Sequence, residues 1–253
     1  NKNKKNIHIV TRGYLGKLNG PVKVNSKIHN YVDVGDEALL LSGITTTWVS
    51  KNRFEGALMA TLNGADIIIL DDGLQNYDIY QNFKILVIDG EFGFGNEFIL
   101  PSGPLRQTIN SGIKKSDIAI IFDQDKYNIK KKLQKKMPVF HVNTKINKIG
   151  RLKNKKIIGF SGIGRPEKFL NSLKQKKFNI IKFFPFPDHY NYSKKEINNL
   201  INYARKKDSM LVSTKKDEKR ISMQQRKKIF FLELETKLIK ENNFINFLKK
   251  KIV

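Results

Sequence analysis

The sequence predicts an α/β fold built around a mostly parallel sheet. Short apolar runs alternate with stretches of helical periodicity, which is typical of strands joined by helices. The run Ile67–Leu70 is apolar throughout, and such a run indicates a strand that is buried on both faces, as in parallel sheets. No unbroken apolar stretch reaches about 18 residues, so the sequence predicts no membrane-spanning helix.

The predicted elements alternate along the whole chain. The predicted strands are Ile7–Val10, Ile67–Leu70, Ile85–Ile88, Ile118–Phe122, Val139–Val142, Ile157–Phe160, Ile180–Phe184, Met210–Val212 and Ile229–Leu232. The predicted helices lie near residues 53–63, 126–136, 166–177, 193–206 and 240–251. The polar, lysine-rich segment Asn143–Lys155 is the predicted domain boundary, which separates a core domain (1–145) from a second, smaller α/β domain (146–253).

The composition limits the classes of function. The chain has 253 residues, a formal net charge of +25 and no cysteine, which excludes disulfides and thiolate metal sites. A strongly basic chain suggests nucleic acid or an anionic membrane surface as a partner. However, 40 of the 48 basic residues are Lys and they are spread along the chain, which indicates biased composition on solvated faces. A peripheral membrane contact remains an alternative.

Carboxylates follow predicted strands and open predicted helices. Asp71 and Asp72 come directly after Ile67–Leu70, at the edge where open α/β sheets place ligands. An acid at such a strand end is how P-loop nucleotide enzymes hold Mg²⁺ beside phosphates. Asp36 and Glu37 precede an apolar, helix-like run, where acids also stabilise a first helical turn without any further role. The functional interpretation is that one carboxylate takes a proton and the other meets a metal.

Two further segments carry groups suited to catalysis or binding. The segment Gly93–Arg106 is rich in Gly and Pro, which predicts a fixed loop that ends in an arginine suited to phosphate. Asp188 and His189 follow the strand Ile180–Phe184 in a turn, where an imidazole can face a cleft. The turn Thr11–Tyr14 follows the first strand and is a candidate substrate loop.

Taken together and in this order, these motifs resemble the tetraacyldisaccharide 4'-kinase family of lipid A biosynthesis. The matching segments are Thr11–Tyr14, Val34–Glu37, Asp71–Gln75, Gly93–Arg106, Gly162–Glu167, Phe186–His189 and Thr214–Asp217. The resemblance covers nearly the whole chain and implies a P-loop-kinase-like fold.

The sequence departs from the family pattern in three respects. The family begins with a membrane-associated helix and a G-x-x-x-x-G-K-[ST] phosphate loop, and neither occurs in this sequence, which begins with Asn. We therefore expect a chain truncated at its N-terminus that lacks its main ATP-phosphate cradle and could be inactive by itself. Asn76 stands where the family usually has His, and Lys215 stands where Glu is usual.

The resemblance implies ATP-dependent phosphorylation of the 4'-hydroxyl of tetraacyldisaccharide 1-phosphate, giving lipid IV-A. By family analogy Asp36 is the catalytic base and His189 pairs with it, which brings the two halves of the chain together at a closing cleft. The metal, Mg²⁺, is assigned to Glu37, Asp71 and Asp72. The nucleotide or phosphate contacts are assigned to Arg12, Gln75 and Arg106. The implied location is the cytoplasmic face of the inner membrane, as a peripheral protein.

Two alternatives stay open at this stage. One is a P-loop-type kinase of a soluble sugar or nucleoside, which shares the acids at the strand end. The other is a non-catalytic basic fragment that binds a membrane or nucleic acid, which predicts clustered Lys and Arg with interleaved aromatic residues. Runs such as Lys130–Lys132 and Lys249–Lys251 lack such aromatics, so no nucleic-acid partner is expected.

Overall fold

The computed structural model describes residues 5–146 and 149–252. In chain order the strands are β1 (Ile7–Thr11), β2 (Val22–Lys23), β3 (Thr47–Val49), β4 (Ile67–Leu70), β5 (Ile85–Asp89), β6 (Ile118–Phe122), β7 (Val139–Ile146), β8 (Lys156–Ser161), β9 (Asn179–Pro185), β10 (Met210–Thr214), β11 (Phe230–Leu232) and β12 (Leu234–Leu238). The helices are α1 (Tyr31–Val34), α2 (Asp36–Leu41), α3 (Arg53–Leu62), α4 (Ile109–Lys115), α5 (Ile129–Leu133), α6 (Pro166–Gln175), α7 (Lys194–Lys206), α8 (Lys215–Glu218), α9 (Met223–Arg226) and α10 (Glu241–Ile252), with a 3₁₀ turn at Ile149–Leu152.

The described residues fold into two compact units, each of which combines separate stretches of chain. The first unit contains the chain up to residue 79 together with 146–234, and the second contains 80–145 together with the chain from 235 onward. The predicted division into 1–145 and 146–253 shares only the boundary at 145/146. The polar, lysine-rich segment marks the point where the chain passes from the second unit to the first. Composition does not reveal the two other crossings, at 79/80 and 234/235. The division into a core domain and a second domain that closes the cleft stays a prediction.

The first unit contains two sheets that meet the α/β expectation. One has the order β2-β3-β1-β4, with β1 parallel to both β3 and β4 and β2 antiparallel to β3. The other has the order β11-β10-β8-β9 and is parallel throughout. Central strands β1 and β8 carry apolar, β-branched residues that bury both faces, as Val10, Ile157 and Ile158 do at 0% exposure. The C-terminal ends of these strands hold the candidate site.

The second unit contains the third sheet, with the order β12-β7-β6-β5. Strand β6 lies between two parallel neighbours and is almost entirely buried. Phe140 of β7 makes ring contacts with Phe244 and Phe247 of α10, with ring centroids 5.0 and 5.7 Å apart. These aromatic pairs hold the C-terminal helix against the sheet.

The expectation of an α/β protein with mostly parallel sheets is confirmed, and every predicted strand is present. The sequence interpretation missed β2, β3 and β12, which are short or polar. It also ended β7 at Val142, whereas the strand continues through Asn143, Thr144 and Lys145 to Ile146. The predicted boundary segment therefore begins inside a strand, because sheet pairing overrides the polarity of an exposed stretch. In the described residues no helix is both long and apolar enough to cross a membrane.

Candidate functional site

Asp36 begins α2, and two glycines place it there. Gly35 has φ +85°, a conformation that L side chains rarely adopt, and a Cβ on it would lie 2.5 Å from the carbonyl oxygen of Tyr14. A Cβ on Gly16 would meet the backbone of Val34 at 2.7 Å. The loop after β1 therefore packs directly against the start of α2. The Asp36 side chain ends up buried, with 3% of the residue exposed.

His189 lies in the turn after β9 and faces Asp36. Its φ of +53° is in the left-handed region, and its backbone N–H donates to the carbonyl of Gly162 at 3.0 Å. Its Nδ1 lies 3.1 Å from Oδ2 of Asp36. The ring of Tyr14 contacts the imidazole edge-to-face, with centroids 5.3 Å apart. The structure therefore brings together the two residues that the family resemblance paired, within the first compact unit.

One oxygen of Asp36 receives no hydrogen bond from any residue that the structure describes. Nδ1 of His189 lies 3.1 Å from both carboxylate oxygens, but only Oδ2 meets the angular requirement of a hydrogen bond. Oδ1 is buried and lacks a donor among the described residues. A buried acceptor without a donor costs about 1–3 kcal/mol. An unpaired buried oxygen at this position is explained if Oδ1 accepts a hydrogen bond from a bound group.

Lys216 contacts the opposite edge of the His189 ring. Its Nζ lies 3.2 Å from Nε2 of His189 and 2.9 Å from Oε1 of Glu37. Asp188 is further away, with Oδ1 3.9 Å from the same Nζ. Lys216 lies in the first turn of α8, which follows directly from β10. The Lys216 side chain is only 20% exposed, so its ammonium is confined to this cluster.

A buried network around Asp217 and Arg220 supports the pair. Asp217, which is 0% exposed, accepts hydrogen bonds from the Tyr192 hydroxyl at 2.7 Å, from Gly162 N–H at 3.0 Å and from Arg220 Nη2 at 2.8 Å. The hydroxyls of Ser213 and Thr214 form hydrogen bonds with its other oxygen, Oδ2. Burial, followed by the nearby Asp217 carboxylate, raises the pKa of Tyr192, which keeps its hydroxyl protonated as a donor.

Arg220 joins this network to the Asp36–His189 pair. It donates to the carbonyls of Tyr190 and Gly162, at 3.0 and 2.9 Å. Its Nε lies 3.3 Å from Oδ2 of Asp36. Two buried carboxylates therefore share one buried guanidinium, which offsets the cost of removing their charges from water.

Asp71 and Asp72 lie at the C-terminal end of β4. Oδ2 of Asp71 accepts a hydrogen bond from the Thr11 hydroxyl at 2.8 Å, and its carbonyl accepts from Nη2 of Arg53 at 2.9 Å. Asp72 has φ +52° and is exposed. Burial lowers the pKa of Arg53, and the nearby Asp71 and Asp72 oppose that shift. The Thr11–Asp71 hydrogen bond thus joins the C-terminal ends of β1 and β4.

The acids predicted to arrange a metal are not all gathered in one cluster. Over residues 5–146 and 149–252, no group of three or more His or acidic side chains forms a metal site. Glu37 is engaged by Lys216, whereas Asp71 and Asp72 are consecutive. Mg²⁺ commonly takes one or two protein carboxylates together with phosphate oxygens. The adjacent pair fits a cation that arrives with a phosphorylated ligand.

The remaining predicted residues lie on loops. Arg12 is exposed directly after β1, and Gln75 is half-buried in the turn after Asp72. Arg106 belongs to the second unit, where it ends a loop fixed by a hydrogen bond of 2.8 Å from Leu100 N–H to the carbonyl of Leu105. The predicted rigidity of the Gly93–Arg106 loop agrees with these contacts. The three assignments as phosphate or nucleotide contacts stay predictions.

Sequence reasoning missed three cations around the site. Lys216 belongs to a motif that was quoted, but its contact with His189 depends on tertiary structure. Arg53 opens the predicted helix 53–63, which Asn52 caps, but its contact with the Asp71 carbonyl depends on tertiary structure. Arg220 belongs to none of the matched motifs, and only its spacing of three residues after Asp217 suggests an interaction on a helical turn.

Comparisons with known proteins identify the family of the chain. The family model described as Tetraacyldisaccharide-1-P 4'-kinase matches residues 1–253. A protein of Gluconacetobacter diazotrophicus named tetraacyldisaccharide 4'-kinase is 37% identical over 218 residues, which cover 86% of this chain and 67% of the relative. A protein of Paramagnetospirillum magneticum with the same name is 36% identical over 229 residues, or 90% of this chain and 70% of that one. The chain thus spans about two thirds of the length of these relatives.

A solved structure matches the fold. The crystal structure of the "apo" form of LpxK from Aquifex aeolicus in complex with ATP superposes with a TM-score of 0.75. The match covers 98% of this chain and 80% of that one, at 22% identity. The P-loop-kinase-like α/β fold that the motifs implied is therefore confirmed. On the family model and the sequence relatives, the chain belongs to the tetraacyldisaccharide-1-P 4'-kinase family.

Proposed function

We propose that this protein transfers the γ-phosphoryl group of ATP to the 4'-hydroxyl of tetraacyldisaccharide 1-phosphate, which yields lipid IV-A and ADP. The family membership of the chain supports the substrate. The observation that carries the proposal is the contact of 3.1 Å between Asp36 and His189, two polar side chains from opposite halves of the chain.

Asp36 is the proposed general base. Phosphoryl transfer depends mostly on positioning and on charge stabilisation, but a sugar hydroxyl also has to lose its proton. In the proposed step the 4'-oxygen bonds to the γ-phosphorus while the bond from that phosphorus to the β,γ-bridging oxygen breaks. The hydroxyl proton passes to Oδ1 of Asp36, the buried oxygen that has no donor among the described residues. The leaving group is ADP.

His189 and Arg220 hold the base in place. His189 occupies Oδ2 through Nδ1, and Nε of Arg220 lies 3.3 Å from the same oxygen. Both contacts restrict the rotation of the carboxylate and leave Oδ1 without a hydrogen-bond donor among the described residues. A base fixed in this manner needs no reorganisation when the hydroxyl arrives.

Asp71 and Asp72 are the proposed Mg²⁺ ligands, with Glu37 as a third candidate. When bound, Mg²⁺ would neutralise charge on the transferred phosphate. Thr11 holds Asp71 through one oxygen and leaves the carboxylate its second oxygen for a cation. Glu37 would have to exchange its contact with Lys216, at 2.9 Å, for the metal. Arg12, Gln75 and Arg106 are the proposed contacts to nucleotide or substrate phosphates.

The proposed location is the cytoplasmic face of the inner membrane, where the protein binds peripherally. A tetraacylated substrate resides in a membrane, and the formal net charge of +25 favours an anionic surface. Each Lys or Arg close to such a surface contributes about 1 kcal/mol. A protein bound at this membrane surface would thus meet its lipid substrate there.

A kinase assay on the protein expressed from its complete gene tests the proposal. Mg-ATP and tetraacyldisaccharide 1-phosphate are the substrates, and Asp36→Ala and His189→Ala are the test variants. His29→Ala is the matched control, because His29 lies in a surface turn where its Nδ1 accepts from Asn25 N–H at 3.1 Å. We expect turnover that falls by about 100-fold or more in both test variants and persists in the control.

The two alternative functions predict different results. Phosphorylation of a soluble sugar or nucleoside without turnover of the lipid would replace the substrate assignment. The absence of any kinase activity, together with tight and steeply salt-dependent binding of oligonucleotides, would favour a basic binding protein.

A further inference from the structure

We propose that Lys216 is a positioning residue that fixes the tautomer of His189, so that the single proton of the neutral imidazole is on Nδ1 and points at Asp36. The inference rests on the proposed function for its catalytic consequence, but the tautomer itself is a property of the folded protein. It assigns a role to a lysine that touches neither of the reacting oxygens.

The first step concerns hydrogen-bond chemistry. A lysine ammonium has three N–H donors and no acceptor. At 3.2 Å from Nζ, Nε2 of His189 must therefore accept the hydrogen bond, and an accepting Nε2 carries no proton. A neutral imidazole with an unprotonated Nε2 has its proton on Nδ1. That nitrogen lies 3.1 Å from Oδ2 of Asp36, to which it then donates.

The second step concerns how firmly Lys216 is held. Its Nζ also donates to Oε1 of Glu37 at 2.9 Å, and its side chain is 20% exposed. Thr214 caps the turn that carries Lys216, because its hydroxyl accepts from the N–H of Asp217 at 3.2 Å. The base of that turn is anchored further by the buried side chain of Asp217. The ammonium therefore extends from a fixed turn and has two hydrogen-bond partners, of which His189 remains if Glu37 turns to a metal.

The third step excludes a competing acceptor for a proton on Nε2. Oδ1 of Asp188 is 3.8 Å from Nε2, beyond hydrogen-bond distance, and its side chain is 47% exposed. Asp188 Oδ1 instead accepts from the backbone N–H of His189 at 3.0 Å. Only Lys216 makes a hydrogen bond to Nε2 among the described residues. The tautomer is thus decided by a donor on one side and a carboxylate on the other.

The consequence is a division of roles within the pair. With its proton on Nδ1, His189 is a hydrogen-bond donor to Oδ2, and Asp36 is the group that receives the substrate proton on Oδ1. Without Lys216, a proton on Nε2 would leave the Nδ1 lone pair facing the carboxylate oxygen. The ring would then turn away, and Asp36 would lose its orientation.

Histidine NMR tests the tautomer directly. The protein expressed from its complete gene is labelled with ¹⁵N-histidine, and the His189 signals are identified by their loss in His189→Gln. Long-range ¹H–¹⁵N correlations then report which ring nitrogen carries the proton. In the wild type we expect a protonated Nδ1 and an unprotonated Nε2. In Lys216→Met, where only the Asp36 carboxylate still favours a proton on Nδ1, we expect the Nε2–H form to become detectable beside the Nδ1–H form, whereas Lys216→Arg retains the wild-type pattern.

Lys215→Met is the matched control, because Lys215 is the neighbouring lysine and pairs with Glu218 at 2.9 Å. It should leave the His189 signals unchanged. In the kinase assay we expect Lys216→Met to lower kcat by about 10- to 100-fold with little change in KM. A large rise in KM at unchanged kcat would indicate a phosphate-binding lysine and overturn the positioning role.

The two levels of the inference fail separately. If His189 carries its proton on Nε2 in the wild type, or shows no Nε2–H form in Lys216→Met, the role given to Lys216 is wrong whatever the activity. If the tautomer shifts as expected but the wild type does not phosphorylate the disaccharide, the proposed function fails and the assignment stands.

Discussion

Arg220 lies within ion-pair distance of Asp36, with its Nε 3.3 Å from Oδ2, although the two residues come from opposite halves of the chain. The same guanidinium donates to Asp217 at 2.8 Å and to two backbone carbonyls. The side chains of Arg220 and Asp36 are 1% and 3% exposed, so solvent screens this contact weakly. One cation thus supports both a structural carboxylate and the proposed catalytic one.

Replacing Arg220 by Met should destabilise the protein strongly. The change leaves Asp36 and Asp217 as buried charges without their shared cation, and breaking a buried pair in this manner costs about 3–5 kcal/mol. The free energy of unfolding from urea titration measures the effect. Arg205→Met, at an exposed position in the last turn of α7, is the control and should stay within about 0.5 kcal/mol of the wild type. Equal stabilities of the two variants would contradict the role given to Arg220.

Replacing Gly35 by Ala should displace Asp36. A Cβ at this position meets the Tyr14 carbonyl oxygen at 2.5 Å, and φ +85° with ψ 152°, a region almost confined to glycine, adds about 1–3 kcal/mol of backbone strain. We expect kcat to fall by at least about tenfold, because a base displaced by a few tenths of an ångström loses its alignment. Gly150→Ala is the control, since apart from its two chain neighbours no described residue comes within 4 Å of a Cβ there. Wild-type kinetics for Gly35→Ala would be inconsistent with this packing.

Stability should decrease in mild acid because of His8. Burial, followed by the nearby Lys23, lowers the pKa of His8, whose Nδ1 accepts from Trp48 Nε1 at 3.3 Å. The unfolded chain binds a proton near pH 6.5, whereas the folded chain resists it, so the stabilisation is complete above about pH 6.5 and is lost as pH falls towards the folded pKa. Urea titrations at pH 7.5 and pH 5.5 measure the loss.

The His8→Gln variant isolates this contribution. It should show a smaller loss of stability between the two pH values than the wild type does. His141→Gln is an informative second variant, because burial, followed by Lys130, lowers the pKa of His141 as well. A loss of the same size in the wild type and in His8→Gln would exclude His8 as a source of the pH dependence.

The sequence predicted those parts of the molecule that depend on local patterns. Apolar runs located nine of the twelve strands that the described residues form, and acids at a strand end marked Asp71. The pairing of Asp36 with His189 is implied by the resemblance to the family. The strands and the acids at their ends are features of neighbouring residues, so spacing and residue type were sufficient for them, whereas the Asp36–His189 pair rested on the family resemblance.

The features that the sequence did not predict depend on contacts across the chain. Strand β3 has only three residues, which pair with β1 and form no run that stands out. Lys216 contacts His189 and Glu37, and Arg220 contacts Asp36, so both positions depend on residues far away in the sequence. Residues 146–234 likewise join the first unit through tertiary contacts, which local patterns do not predict. Composition and periodicity carry no information on such partners.

The measurement that tests the central claim most directly is a double-mutant cycle on Asp36 and His189. The kcat of the wild type, Asp36→Asn, His189→Gln and the double variant is measured with Mg-ATP and tetraacyldisaccharide 1-phosphate, on the protein from the complete gene. If the two side chains act as a unit, the double variant should be about as slow as the slower single variant. Losses that multiply in the double variant would mean that the two residues act independently, which would contradict the pair.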